Sequence, residues 1–79
     1  MYKGKQLYYK NEMLVYLTQL LILDGKCDPE YISNKLGITR RTLSSYINTI
    51  KNSLAEMMVY HIQVEYDKNL KLYICKLNL

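Results

Sequence analysis

From Asp28 to Met57 the chain reads as two helices separated by one tight turn, Leu36-Gly37-Ile38-Thr39. Asp28-Pro29-Glu30 is a strong helix start: an Asp cap, a proline at the first helical position, then an acidic first turn. This helix runs from Pro29 to about Leu36 and buries Ile32 and Leu36, with Tyr31 at its edge. Ser33 is small enough to let a crossing helix approach. Gly37 supplies the positive backbone dihedral that the turn needs. Ile38 is expected to drop between the helices, and Thr39 to cap the next helix through its hydroxyl.

The longer helix then runs from Arg40 to about Met57. Leu43, Ile47, Ile50, Leu54 and Met57 repeat at alternating steps of four and three, which defines an inner face. Half a turn away lie Arg41, Ser45, Asn48 and Asn52. Arg40, Ser44 and Lys51 flank that row on one side, Thr42 and Thr49 on the other. No large apolar residue occupies the outer row, and Tyr46 falls nearer the core side. Between Glu30 and Glu56 there is no acidic residue, whereas Lys35, Arg40, Arg41 and Lys51 all lie there. Positive charge is therefore concentrated, with no acidic residue beside it in the sequence, on the stretch of this two-helix unit between Glu30 and Glu56, in a chain of net charge +4. A short helix, a glycine turn and a longer helix with a basic outer face make up the helix-turn-helix arrangement that reads DNA.

The flanking segments complete one small domain spanning residues 1–79. Residues 1–10 are basic and tyrosine-rich, and are expected to form a lead-in that is partly ordered at best. Helix 1 covers residues 11–24, with Leu14, Leu17 and Leu21 as its stripe. Val15, Tyr16, Leu20, Ile22 and Leu23 spread around the cylinder, which suggests burial on more than one side. That means a central position or, as the less favoured option, an oligomer contact. Asp24-Gly25-Lys26 ends this helix, with Gly25 in the left-handed closing position. Cys27 leaves space for a very short extended segment, and residues 28–57 form the two-helix unit.

From residue 60 to 77 the apolar period drops from about 3.6 to about 2. A three-residue loop, Asp67-Lys68-Asn69, would pair Tyr66 with Leu70, Val64 with Leu72 and Ile62 with Ile74 on one face. Glu65 would then oppose Lys71, and Cys75 would oppose His61. Asn69 is expected to take the left-handed conformation of the loop.

Composition excludes several classes of function. A chain of 79 residues has no room for a deep cleft with its own lid. There is no Trp or Phe, so the nine Tyr supply all the aromatic mass, and several are expected at the core margin with their hydroxyls in water. Cys27 and Cys75 lie far apart, which is neither a disulfide framework nor a zinc pattern, and free thiols suit a reducing cytoplasm. Lys3, Lys5 and Lys10 precede no apolar run until Met13, so no secretory leader is expected. The run from Met13 to Leu23 is about half the length a membrane span needs. His61, the single histidine, falls on the polar strand face. With no glycine-rich phosphate loop, paired acidic motif or metal-ligand cluster, neither an enzyme nor a cofactor or metal is expected.

The order helix, short link, helix, helix, hairpin resembles the winged-helix class, mainly α with a small β-hairpin, over roughly Met13 to Leu77. Within it, Leu36-Gly37-Ile38-Thr39-Arg40-Arg41-Thr42-Leu43 resembles the pattern Leu-Gly-(Val/Ile)-(Ser/Thr)-x-Arg-Thr-(Leu/Ile) of bacterial operon regulators. The nearest groups are the Mga-like virulence regulators and the sugar-operon activators with phosphotransferase-regulated domains. Two departures stand out: Leu70-Lys71 replaces a glycine-tyrosine pair found in several related wings, and regulators of these groups are several times longer. The resemblance thus implies either an N-terminal domain lacking its C-terminal regulatory domain or a stand-alone small regulator.

It further implies sequence-specific double-stranded DNA binding by a homodimer, with residues 40–57 in the major groove. Arg41 would read a base, since a guanidinium bonds guanine bidentately, and Ser45 and Asn48 would follow on the same face. Thr39, Arg40, Thr42, Ser44 and Lys51 would contact phosphates. Lys68, Asn69 and Lys71 at the hairpin tip would touch the adjacent minor groove or backbone. The alternative is a winged helix used as a protein-interaction module without DNA readout. Single-stranded or RNA binding through base stacking on tyrosine is weaker still, because most tyrosines fall at the core or its edge.

Overall fold

The computed structural model describes residues 8–78; the expectation for a partly ordered lead-in falls largely outside them. The elements are α1 (Lys10–Asp24), β1 (Lys26–Cys27), α2 (Pro29–Leu36), α3 (Arg40–Glu56), β2 (Ile62–Asp67) and β3 (Leu72–Leu77). Three helices therefore pack with a small antiparallel sheet of order β1-β3-β2. Among the described residues no helix is long and apolar enough to cross a membrane.

Each helix boundary has a local cause. The Tyr9 amide donates to Glu12 Oε1 at 2.9 Å, which starts α1 at Lys10. Gly25, with φ of 75°, ends it and donates its amide to the Leu21 carbonyl. Asp28 accepts from the amides of Glu30 and Tyr31 at 3.1 and 3.4 Å and so caps α2. Gly37, with φ of 71°, closes α2, and the Ile38 amide reaches back to the Ser33 carbonyl at 3.0 Å. The buried Ser33 hydroxyl donates to the Glu30 carbonyl at 3.1 Å, so the close approach of α2 and α3 leaves no polar atom stranded there.

The core joins Met13, Leu17 and Leu21 of α1, Cys27, Ile32 and Leu36, Leu43, Ile47 and Ile50 of α3, and Val64 of the hairpin. Met13 thus takes the place expected of Leu14, which is half-buried. On α3 the buried face stops at Ile50; Leu54 is half-buried, and Met57, one residue past the helix, is 70% exposed at the open groove toward α1. Nor is α1 buried on more than one side. Tyr16 and Leu20 widen its covered face, while Val15, Ile22 and Leu23 remain exposed.

The hairpin departs from the expected register. Asp67 Oδ1 accepts from the amides of Asn69 and Leu70 at 2.8 and 3.0 Å, and its carbonyl accepts from the Lys71 amide at 2.7 Å. These bonds close a longer loop, so Asp67 pairs with Leu72, Tyr66 with Tyr73, Val64 with Cys75 and Ile62 with Leu77. The shift is odd in number and so exchanges the faces of β3. Tyr73 and Cys75 turn toward the core, and Ile74 lies on the face with Glu65. Cys75 therefore opposes Val64 rather than His61. Glu65 pairs with Lys76 at 3.1 Å instead of Lys71, an exposed bridge of little energetic weight. The left-handed residue is Lys71, not Asn69. The short extended segment becomes a true strand, with Lys26 opposite Ile74 and Cys27 opposite Tyr73. The expected hairpin is thus part of a three-stranded sheet.

Candidate nucleic-acid interface

The side chains of α3 sort into four directions. Leu43 and Ile47 are fully enclosed, and Ile50 is nearly so. Opposite them, Arg41, Ser45, Asn48 and Asn52 are all exposed and share one row. One flank, through Ser44 and Lys51, faces the hairpin. The other, through Thr49, Ser53 and Met57, borders α1 across an open groove of about 520 Å³. The enclosed face holds the outer row in a fixed orientation.

At the start of α3 the Thr39 hydroxyl accepts from the Thr42 amide at 3.1 Å and donates to the Thr42 hydroxyl at 3.0 Å. This is the expected cap. It uses the Thr39 hydroxyl as donor and acceptor and the Thr42 hydroxyl as acceptor; Thr39 is exposed and Thr42 half-buried. No acidic side chain lies in this first turn, so nothing offsets the positive end of the helix or the charges of Arg40 and Arg41.

Ser44 is also half-buried, and its hydroxyl lies 2.8 Å from that of Tyr73. It is therefore turned toward the sheet rather than outward with Ser45. Lys35 is committed as well: its ammonium donates to the Tyr16 hydroxyl at 3.2 Å and sits 5.2 Å from the ring centroid. That hydrogen bond holds the Lys35 ammonium above the usual lysine range. Arg40, Arg41 and Lys51 remain as the exposed cations of α3.

The second group of candidates lies on the loop between β2 and β3. Lys68, Asn69 and Lys71 are exposed, and the Asp67 carboxylate shapes the loop beneath them. Lys71 holds φ of 58°, a conformation that costs a residue with a Cβ about 1–2 kcal/mol. Lys71→Gly is expected to gain about 1 kcal/mol, raising the melting temperature by about 4–8 °C in a thermal scan. An unchanged midpoint would show that the strain is relieved elsewhere. The loop is tied to α3 close to its own end of the hairpin, where Tyr73, one pair in from the loop, meets Ser44.

Sequence reading missed Tyr73, because the assumed register placed it on the solvent face. The usable signal was Asp67, whose side chain can accept from amides two and three residues ahead and so favours the longer loop.

The remaining chemistry is quiet. Among the described residues no group of three or more His, Cys, Asp or Glu could hold a metal ion. Burial, helped by the neighbouring Asp28 carboxylate, pushes the Cys27 thiol up to about 11 from an ordinary 9.0. Burial also raises that of Cys75. A nucleophilic thiol requires the opposite shift. Because the folded chain holds the Cys27 proton more tightly than the unfolded chain, its stabilising share is intact below pH 9.0 and is lost as pH rises toward about 11. The urea midpoint is expected to fall across that window more for the wild type than for Cys27→Ala; equal falls would contradict this.

Comparison with protein-family models, with curated proteins and with solved structures finds no match to this chain.

Proposed function

We propose that this chain is a winged helix-turn-helix domain of a bacterial transcription regulator that acts in the cytoplasm by sequence-specific binding of double-stranded DNA. One observation carries the reading. Arg41, Ser45 and Asn48 stand exposed in a single row on a helix whose reverse face is enclosed. A helix so held fits the major groove as a rigid probe. The helix-turn-helix is α2, the Gly37 turn and α3; the wing is the β2–β3 hairpin.

Arg41 reads a base, and Ser45 and Asn48 extend the reading along the groove. Arg40 and Lys51 contact phosphates beside it, and Lys68, Asn69 and Lys71 reach the flanking backbone or minor groove. Thr39 and Thr42 serve through the cap that presents the helix start.

One module offers a small footprint, so the functional unit is a homodimer on repeated half-sites. The groove between α1 and α3 supports a second copy as its occupant. Leu14, Val15, Ile50, Leu54 and Met57 line it, the remaining side chains are uncharged, and two chains of +4 can meet there without like charges in contact. Val15→Asp with Met57→Asp is expected to abolish self-association in sedimentation runs; an unchanged sedimentation coefficient would exclude this surface.

The same groove favours the second reading, a protein-interaction module. The two differ in salt dependence. A duplex selected from a random pool should bind with log K falling steeply against log salt, at a slope near −0.9 for each phosphate neutralised. Failure to enrich any duplex at low salt, with a partner held equally at high salt, would favour the second reading.

A further inference from the structure

We infer that the paired hydroxyls of Ser44 and Tyr73 position the wing against the recognition helix, so that both residues set DNA affinity without touching DNA. The inference rests on the DNA-binding reading above.

Ser44 lies one residue before Ser45 of the outer row, on the flank that faces the sheet. Its hydroxyl is 2.8 Å from that of Tyr73. Tyr73 in turn sits at the centre of the sheet, opposite Cys27 on one side and Tyr66 on the other. The Tyr66 ring meets the Tyr73 ring edge to face with centroids 5.0 Å apart. Helix, central strand and outer strand are thus joined at one level.

Tyr73 is also the point at which the wing loses its third strand. Pairing with β1 stops at Cys27 and Tyr73; beyond it only the Asp67–Leu72 pair and the loop continue. A two-stranded hairpin alone is marginal in water. The loop that carries Lys68, Asn69 and Lys71 therefore overhangs a fulcrum, and the Ser44–Tyr73 contact sits at that fulcrum. Lys71 is two residues from Tyr73, about 7 Å along an extended chain. A small rotation at Tyr73 moves the tip cations relative to the phosphates while α3 keeps its seat.

The test uses Tyr73→Phe, Ser44→Ala and their combination in the intact chain. Each is read with and without removal of the tip charges by Lys68→Ala and Lys71→Gly. Binding to the selected duplex is measured over a range of salt, with thermal melting alongside. Tyr73→Phe keeps the edge-to-face contact with Tyr66 and removes only the oxygen.

Each single variant is expected to weaken binding by about 3–10-fold, and the pair no further than the stronger single. The slope of log K against log salt should shrink by about 1–2 in magnitude, as tip phosphates are released. Melting should fall by no more than about 8 °C. Removing the tip lysines should then cost less in the Tyr73→Phe background than in the wild type.

Loss on Ser44→Ala with none on Tyr73→Phe would make Ser44 a direct phosphate contact and overturn the inference. So would additive losses, or an equal cost of tip-lysine removal in both backgrounds. No duplex binding by the wild type at low salt would overturn the DNA-binding reading and the positioning role with it.

Discussion

Leu43→Ala is expected to lower the unfolding free energy by about 3 kcal/mol, as a fully enclosed leucine leaves a cavity that its neighbours fill only in part. Leu43 has no exposed surface and sits where the first turn of α3 meets the rest of the core. A domain of this length has only about 4–12 kcal/mol of stability in total. The loss should therefore appear as a fall of roughly 12–24 °C in the melting temperature by circular dichroism. At low temperature, where the variant remains folded, DNA affinity should survive, because Leu43 is on the reverse of the proposed reading face. A fall of less than 5 °C, set against the roughly 4–8 °C expected for each kcal/mol, would mean that the site collapses around the smaller side chain.

Arg41→Ala is expected to act in the opposite manner. Arg41 is exposed, so its removal should leave the melting temperature nearly unchanged. Affinity for the preferred duplex should fall by about 10–100-fold, with relaxed preference at one base pair. Arg41→Lys should not restore the preference, since an ammonium lacks the planar fork. Arg40→Ala and Lys51→Ala serve as comparators. Each should weaken all duplexes alike and reduce the salt slope by about 1. If Arg41→Ala matched these two in every duplex, Arg41 would be a phosphate contact and base reading would have to pass to Ser45 and Asn48.

The helices were legible because their signals are local. Asp28-Pro29, Gly25, Gly37 and Thr39 act within a few residues, and the structure uses each where the chain suggests it. The enclosed positions Leu43, Ile47 and Ile50 followed from helical spacing alone. The hairpin register was less legible because both faces of β3 are apolar: Leu72 and Ile74 on one, Tyr73 and Cys75 on the other. Alternation could not choose between them, so the choice fell to loop length, which Asp67 decides through three hydrogen bonds. Met57 fits the inner spacing of α3 yet lies in solvent, because periodicity cannot say where a covering element ends. The candidate site follows the same division. The row Arg41, Ser45, Asn48 was readable from one helix, whereas the turn of Ser44 toward Tyr73 depends on a strand 29 residues away.

The most direct measurement is a map of backbone amide shifts as the intact chain is titrated with its preferred duplex. The largest changes are expected at residues 39–48 and 68–71, with small ones at Val15 and Met57. Changes concentrated along the α1 groove, with residues 40–48 silent, would contradict a reading helix on α3.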